Sequence, residues 1–213
     1  MRIAIPKGRL QDETLALFAA AEYDVPSAAD LATRRLVFSR GEIEWIFVKD
    51  CDVPVYVEHG AADAGVAGLD QLLEHGSTAY QPIQLPFGRC RMMLIGAPDA
   101  PELASLTVAK IATKYPRIAR QYCDRRGLRA DIIPLGGSVE LAAVLNLTSH
   151  VIDLVETGTT IRIHNLVIED LVAEISPRLI VGKDVYRTSP ELVREMLARV
   201  GAAVERNQLT CAS

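Results

Sequence analysis

No apolar run in these 213 residues reaches the about 18 needed to cross a bilayer as a helix. The first residues, Met1-Arg2-Ile3-Ala4-Ile5-Pro6-Lys7-Gly8, meet proline, lysine and glycine after a stretch too short for the apolar region of an export signal. The expectation is a cytoplasmic chain with no membrane partner. Cysteine is sparse. Cys51, Cys90, Cys123 and Cys211 form no C-x-x-C pair, which argues against a structural zinc or a dithiol and for reduced thiols. His59, His75, His150 and His164 show no H-E-x-x-H spacing and read as surface or packed residues rather than metal ligands. Excess positive charge is also missing: the net charge is -4, against the basic balance of a general nucleic-acid binder.

What is present is ordinary globular composition, 49% hydrophobic and 23% charged, enough for one large domain or two small lobes. The charge is unevenly spread. Residues 110–129 carry seven bases (Lys110, Lys114, Arg117, Arg120, Arg125, Arg126, Arg129) against one acid, Asp124. Residues 130–175 carry seven acids against one base, Arg162. The basic run could attract a small polyanion, but a solvated helix face has the same composition.

Strand-like and helix-like segments alternate. Residues 2–5, 43–48, 64–67, 91–96, 107–112, 130–134, 151–155, 166–175 and 179–181 read as strands. Helices are expected over 10–21, 53–59, 69–75 and 115–126, from Val139, after the turn near Gly158, and from Pro190 to about Asn207. In the last of these Leu192, Val193, Met196, Leu197, Val200 and Val204 recur at helical spacing. The alternation predicts an α/β fold with largely parallel sheets, in two sets separated near Gly88, hence two lobes and a central cleft.

The segment Val151-Ile152-Asp153-Leu154-Val155-Glu156-Thr157-Gly158-Thr159-Thr160 carries the strongest chemical signal. An apolar strand delivers acids and then a Thr-Gly-Thr-Thr turn into a helix. Gly158 admits close backbone approach, the turn and helix amides can bind phosphate, and the three threonine hydroxyls add donors. Asp153 can accept from sugar hydroxyls. The P-loop pattern is absent, and an ordinary turn with a threonine cap would look the same. Pro6-Lys7-Gly8-Arg9 places two cations after the first strand, where α/β folds bind ligands. Arg34-Arg35, Ser138 with Glu140 after Gly136-Gly137, and Asp52 before Pro54 are weaker signals, each also compatible with a surface pair or a helix start.

Five segments in order resemble the ATP phosphoribosyltransferase family, the first enzymes of histidine biosynthesis. They are Ile5-Pro6-Lys7-Gly8-Arg9-Leu10, the stretch from Asp52-Val53-Pro54 to Asp63, Ile111-Ala112-Thr113-Lys114-Tyr115-Pro116, Gly137-Ser138-Val139-Glu140-Leu141-Ala142, and Asp153-Leu154-Val155-Glu156-Thr157-Gly158-Thr159-Thr160. The resemblance implies a fold like type II periplasmic binding proteins. One lobe comprises residues 1–88 with 178–213, and the other residues 89–177. It also implies the reaction: N1 of ATP attacks C1 of phosphoribosyl pyrophosphate, and pyrophosphate leaves accompanied by Mg2+.

By motif match, Arg9 and Arg34 stabilise the departing pyrophosphate. Glu156, Thr157, Gly158, Thr159 and Thr160 cradle the ribose 5-phosphate, and Asp153 binds ribose hydroxyls. Lys7, Lys49, Asp52, Ser138 and Glu140 complete the expected substrate-binding set. The family pattern is broken at Lys49, where arginine is common, at Leu69 for lysine, at Gly136 for tyrosine, at Ser149 for a second acid, and at Leu145 and Asn146. The short tail after the last helix implies the short form of the family. That form works with a regulatory subunit resembling histidyl-tRNA synthetase, as a dimer or hetero-oligomer, and the isolated chain should respond little to histidine. The competing reading is a small-anion-binding sensor on the same fold, without catalysis.

Overall fold

A computed structural model describes the backbone of residues 1–211 and the side chains of residues 1–206. The chain divides into two compact units, Met1–Gly88 with Ser176–Ser213, and Arg89–Ile175. The first unit begins with β1 (Arg2–Lys7), α1 (Gln11–Ala20), α2 (Ala28–Leu31), β2 (Val37–Arg40), β3 (Ile43–Lys49), α3 (Val53–Glu58), β4 (Ala64–Gly68), α4 (Leu69–His75) and β5 (Tyr80–Gln84). The second contains β6 (Cys90–Gly96), β7 (Ala109–Thr113), α5 (Pro116–Arg125), β8 (Ala130–Pro134), α6 (Glu140–Val144), β9 (His150–Val155), α7 (Thr159–Ile163) and β10 (Val167–Ile175). The chain then returns to the first unit through β11 (Pro177–Val181), α8 (Lys183–Thr188) and α9 (Pro190–Cys211).

The first unit is built on a six-stranded sheet in the order β2-β3-β1-β4-β11-β5. Its central strands are apolar on both faces because helices cover both sides. Ile3, Ile5, Phe18, Trp45, Phe47, Val66, Leu179, Met196 and Val200 share one buried cluster. Phe18 meets the single tryptophan, Trp45, edge-on with ring centroids 5.2 Å apart, and Trp45 Nε1 donates to the Asp24 carbonyl at 3.0 Å. Helix α1 has no basic residue in its last turn. Arginines of α9 fill that role: Arg206 donates to the Ala20 carbonyl at 2.8 Å, and Arg199 donates to Ala21 at 3.0 Å and lies over the Tyr23 ring. Otherwise orphaned carbonyls at the end of α1 are thereby satisfied.

The second unit holds a five-stranded sheet in the order β10-β6-β9-β7-β8. Met93, Ile95, Ala112, Val139, Ala142, Val151, Val155 and Ile161 form a buried cluster. Within it, Val139 pins the start of α6 to the sheet, and Ile161 pins the body of α7.

Several expectations need correction. The sheets are mixed rather than largely parallel: β1 runs parallel to β3 and β4, and β7 to β8 and β9, but the other five pairings are antiparallel. The antiparallel pairs arise where the chain leaves and re-enters the first unit, and at the β2–β3 hairpin, so the order of elements does not reveal them. The return falls at Ser176 rather than residue 178, because β11 opens at Pro177 against Gly68 of β4. Helix α9 runs to Cys211, beyond Asn207, and Leu192 is exposed while Ala203 is buried. Cys51 is exposed and Cys90 and Cys123 are buried free thiols, while the Cys211 side chain lies outside the described residues. By contrast, all seven bases of residues 110–129 are exposed, in agreement with the solvated-face reading.

Glu58, the last residue of α3, ties that helix to the chain after α4. It accepts from Ser77 Oγ at 2.8 Å and from the Thr78 N–H, and lies 3.0 Å from His75 Nε2. Burial opposes its charge, yet these hydrogen bonds hold its carboxyl down to about 2. A depressed carboxylate stabilises the fold above its unfolded value of 4.5, and that contribution vanishes as pH falls through about 2. Glu58→Gln should therefore cost about 1–2 kcal/mol at neutral pH, with the difference closing across that window. Urea unfolding of both proteins from pH 2 to 7 measures it.

Candidate functional site

On the second unit, β9 carries Asp153 and runs out at Val155 into residues 156–158. Gly158 takes φ +70, the left-handed region, while a Cβ there would meet nothing closer than 3.8 Å. Backbone conformation, rather than space, therefore calls for glycine. Gly158 is the N-cap of α7, and no side chain caps that end. The threonine cap considered from the sequence is not formed. Instead Thr157 Oγ1 lies 3.0 Å from Thr159 Oγ1 and accepts weakly from the Thr159 N–H at 3.4 Å. Helix α7 has only five residues, so its dipole adds less than the sequence suggested, and the turn's own N–H and O–H groups are the main donors.

A cavity of about 260 Å³ opens at this end of β9, lined by Glu140, Asp153, Leu154 and the whole of residues 155–161. Burial pushes the Asp153 carboxyl up. The Leu154 N–H, donating to Asp153 Oδ1 at 2.8 Å, pulls it back, Glu140 raises it further, and Lys114 lowers it. Asp153, Glu140 and Lys114 thus share one electrostatic neighbourhood. Ser138 precedes α6 with φ +47, a backbone state that costs a residue with a Cβ about 1–3 kcal/mol. It is exposed and does not line the cavity.

On the first unit, Lys7 ends β1 and Lys49 ends β3, and the two are register partners on parallel strands. That register sets two cations side by side at the carboxyl ends of a parallel pair, where anions are drawn. Gly8, with φ +98, bends the chain after β1. Arg9 follows, its Nη2 reaching the Gly88 carbonyl at 3.5 Å. Leu36 accepts from the Phe47 N–H, which carries the exposed Arg34 segment alongside β3. Asp52 closes the short turn after β3, within 3.6 Å of Cys51 Sγ. Burial and the carboxylates of Asp52 and Asp50 push the Cys51 thiol up, so it is a poor nucleophile.

The expected residues thus fall into two groups, one on each unit. Lys7, Arg9, Lys49 and Asp52 gather at one end of the first sheet, with Arg34 on the segment beside it. Glu140, Asp153, Glu156, Thr157, Gly158, Thr159 and Thr160 gather around the cavity. Two further residues belong to the second group. Lys114 acts on Asp153, and Arg162 reaches Thr159 Oγ1 at 3.3 Å. The signal for Arg162 was its helical spacing from Thr159, which puts both on one face of α7.

Among the described residues no group of three or more His, Cys, Asp or Glu is placed to hold a metal ion, and no helix is long and apolar enough to cross a membrane.

Residues 49–202 match the family model described as HisG: ATP phosphoribosyltransferase. The chain is 40% identical over 205 residues to the ATP phosphoribosyltransferase of Sorangium cellulosum, covering 95% of each chain. It is 33% identical to a chain of the ATP phosphoribosyl transferase (HisG:HisZ) complex from Thermotoga maritima, with a TM-score of 0.84 over 97% of this chain and 99% of that one. The periplasmic aliphatic sulphonate binding protein of Escherichia coli, 13% identical, superposes with a TM-score of 0.59 over 99% of this chain and 75% of that one, a likeness of fold.

Proposed function

The chain belongs to the ATP phosphoribosyltransferase family, and from that premise we propose how its two groups of residues divide the work. The enzyme is a pentosyltransferase that joins N1 of ATP to C1 of phosphoribosyl pyrophosphate in the first step of histidine biosynthesis. The observation that carries our site assignment is the cavity at the end of β9, lined by the full acid-to-threonine turn. The turn receives the ribose 5-phosphate on its N–H and O–H groups, and Asp153 accepts from the ribose hydroxyls.

Displacement at C1 builds positive charge on the ribose and releases a polyanion. Such a step needs orientation and charge stabilisation more than a covalent nucleophile. We assign the leaving pyrophosphate to Arg9 and Arg34, with Lys7 and Lys49 as supporting cations. Losing one such donor removes about 3 kcal/mol of transition-state stabilisation, about a hundredfold in rate. Asp52 in the first group and Glu140 in the second are further substrate contacts in this reading, and Ser138, outside both groups, is kept as one on the motif match alone.

Magnesium suits the oxygens of the substrate better than any set of side chains here, since the described residues provide no metal cage. It enters this reading as the counter-ion of the pyrophosphate, shielding its charge. The Thermotoga maritima relative is described as a complex of two kinds of chain. By that likeness we propose a regulatory subunit resembling histidyl-tRNA synthetase as the partner, in a dimer or hetero-oligomer. We place the reaction in the cytoplasm, where a biosynthetic enzyme using ATP would work.

The test is incubation of the chain with ATP, phosphoribosyl pyrophosphate and magnesium, with and without the regulatory subunit, followed by detection of phosphoribosyl-ATP. Product is expected, with little inhibition by histidine unless the partner is present. Folded protein that forms no product under either condition would rule the reading out.

A further inference from the structure

The cavity at the end of β9 is lined by three carboxylates, Glu140, Asp153 and Glu156, and by no lysine or arginine. A phosphate monoester brings about -1.5 to -2 further charge at neutral pH. Hydroxyl and N–H dipoles would have to hold it there against three acids. A cation whose side chain reaches the turn changes that balance, and Arg162 of α7 is the only lysine or arginine between residues 130 and 175. Its Nη2 lies 3.3 Å from Thr159 Oγ1, which is itself 3.0 Å from Thr157 Oγ1. Its Nη1 lies 3.8 Å from where a Cβ on Gly158 would stand. One guanidinium and two turn hydroxyls therefore form a continuous run of polar contacts around the glycine. Arg162 is exposed, and among the described residues it has no acidic partner that would hold it elsewhere.

We propose that Arg162 is a binding residue for the 5-phosphate of the ribose donor. This rests on the assignment of the turn to that phosphate. Without ligand, the guanidinium is parked on the Thr159 hydroxyl. With ligand, it donates two N–H bonds to phosphate oxygens, and the Thr159 hydroxyl is free to donate its own proton to the same group. Arginine suits this position because its planar fork matches phosphate geometry and never loses its charge. Position along the donor sets the specificity of the effect. Arg162 should sense the 5-phosphate and not the pyrophosphate at the other end of the ribose.

Calorimetric titration of the full chain with three probes, ribose 5-phosphate, phosphoribosyl pyrophosphate and inorganic pyrophosphate, tests this. Arg162→Gln should weaken ribose 5-phosphate and phosphoribosyl pyrophosphate by about tenfold each and leave pyrophosphate within about twofold. Arg162→Lys, which keeps the charge but not the fork, should fall between wild type and Arg162→Gln. The loss should shrink as salt is raised from about 50 to about 300 mM, as screening requires for an exposed charge. In the steady state the change should appear in KM for the ribose donor, with kcat and KM for ATP unchanged. Pyrophosphate weakened as much as ribose 5-phosphate, or ribose 5-phosphate binding untouched in Arg162→Gln, overturns the proposal.

The double variant Gly158→Ala with Thr159→Val separates the two levels. If it loses ribose 5-phosphate while Arg162→Gln does not, the turn keeps its assignment and Arg162 loses its role. If neither variant loses binding, the assignment of the turn falls as well.

Discussion

Replacing Asp153 by asparagine should lower kcat/KM for phosphoribosyl pyrophosphate by about a hundredfold or more while leaving the protein at least as stable as the wild type. The two effects come from one cause. Burial and Glu140 disfavour the Asp153 charge, and Lys114 and the Leu154 N–H offset this only in part, so the carboxyl sits above its ordinary value of 3.8. A carboxyl raised by folding binds protons more tightly in the native state. Its effect on stability is therefore neutral at low pH and becomes unfavourable as pH rises from 3.8 through the native value. Asparagine removes that penalty and keeps an oxygen for the Leu154 N–H. On the role proposed for Asp153, it also loses the charge that would draw ribose hydroxyls and face the developing positive centre. Melting temperatures from pH 3 to 8, beside steady-state kinetics, measure both halves. The variant should gain on the wild type as pH rises. An activity within threefold of wild type, or a melting point several degrees lower at neutral pH, would contradict this account.

The largest effect on stability is expected at Gly65. This residue lies in β4, paired with Ala4 of β1 on one side and Ile180 of β11 on the other. A Cβ there would stand 2.8 Å from Val53 Cγ1, 3.0 Å from the Ala4 carbonyl oxygen and 3.1 Å from Ala4 Cβ. Val53 and Ala4 are fully buried, so nothing nearby can yield cheaply. Gly65→Ala should cost about 2–3 kcal/mol, and Gly65→Val more, because either pushes α3 off the sheet. For a chain of this size that is a fall in melting temperature of about 5–10 °C. Gly136→Ala is the control: a Cβ there meets nothing within 4 Å, and the change should stay within about 0.5 kcal/mol. The close approach at Gly65 also bears on the proposed site. Val53 follows Asp52 directly, so the fit of α3 against β4 and β1 fixes where the turn after β3 ends.

Much of this arrangement is legible in the sequence, and what is not has definite physical reasons. The central strands β1, β3, β4, β6 and β9 announce themselves because both of their faces are buried. β2, β5, α2 and α8 do not. Phe38 is the one buried residue of β2, while β5 is an exposed edge strand that accommodates Pro82. Neither short helix buries a residue, so hydrophobic periodicity had nothing to register. Pairing direction is a long-range property. Nothing near Cys90 or His150 in the chain states that β6 and β9 run antiparallel. At the site, the turn was readable because strand, acid, glycine and threonine are contiguous. Lys114 and Arg162 act across space, one on Asp153 and one back along its own helix, and each looks locally like any solvated cation.

The placement of residues 89–175 between β5 and β11 bears on how the protein is made. In the six-stranded sheet β11 lies between β4 and β5, with β5 at the edge. A ribosome therefore releases β4 and β5 long before the strand that joins them. The inserted unit is contiguous, with all five strands of its sheet drawn from residues 89–175, so every partner it needs has been made before β11 is. Until Pro177–Val181 emerges, the amino-terminal segment waits with an open β4 edge, and its completion depends on a pairing across a long loop, the slow kind. The first unit is thus completed from both ends of the chain: β11 fills the gap between β4 and β5, and α9 then supplies Val193, Met196 and Val200 to the same core.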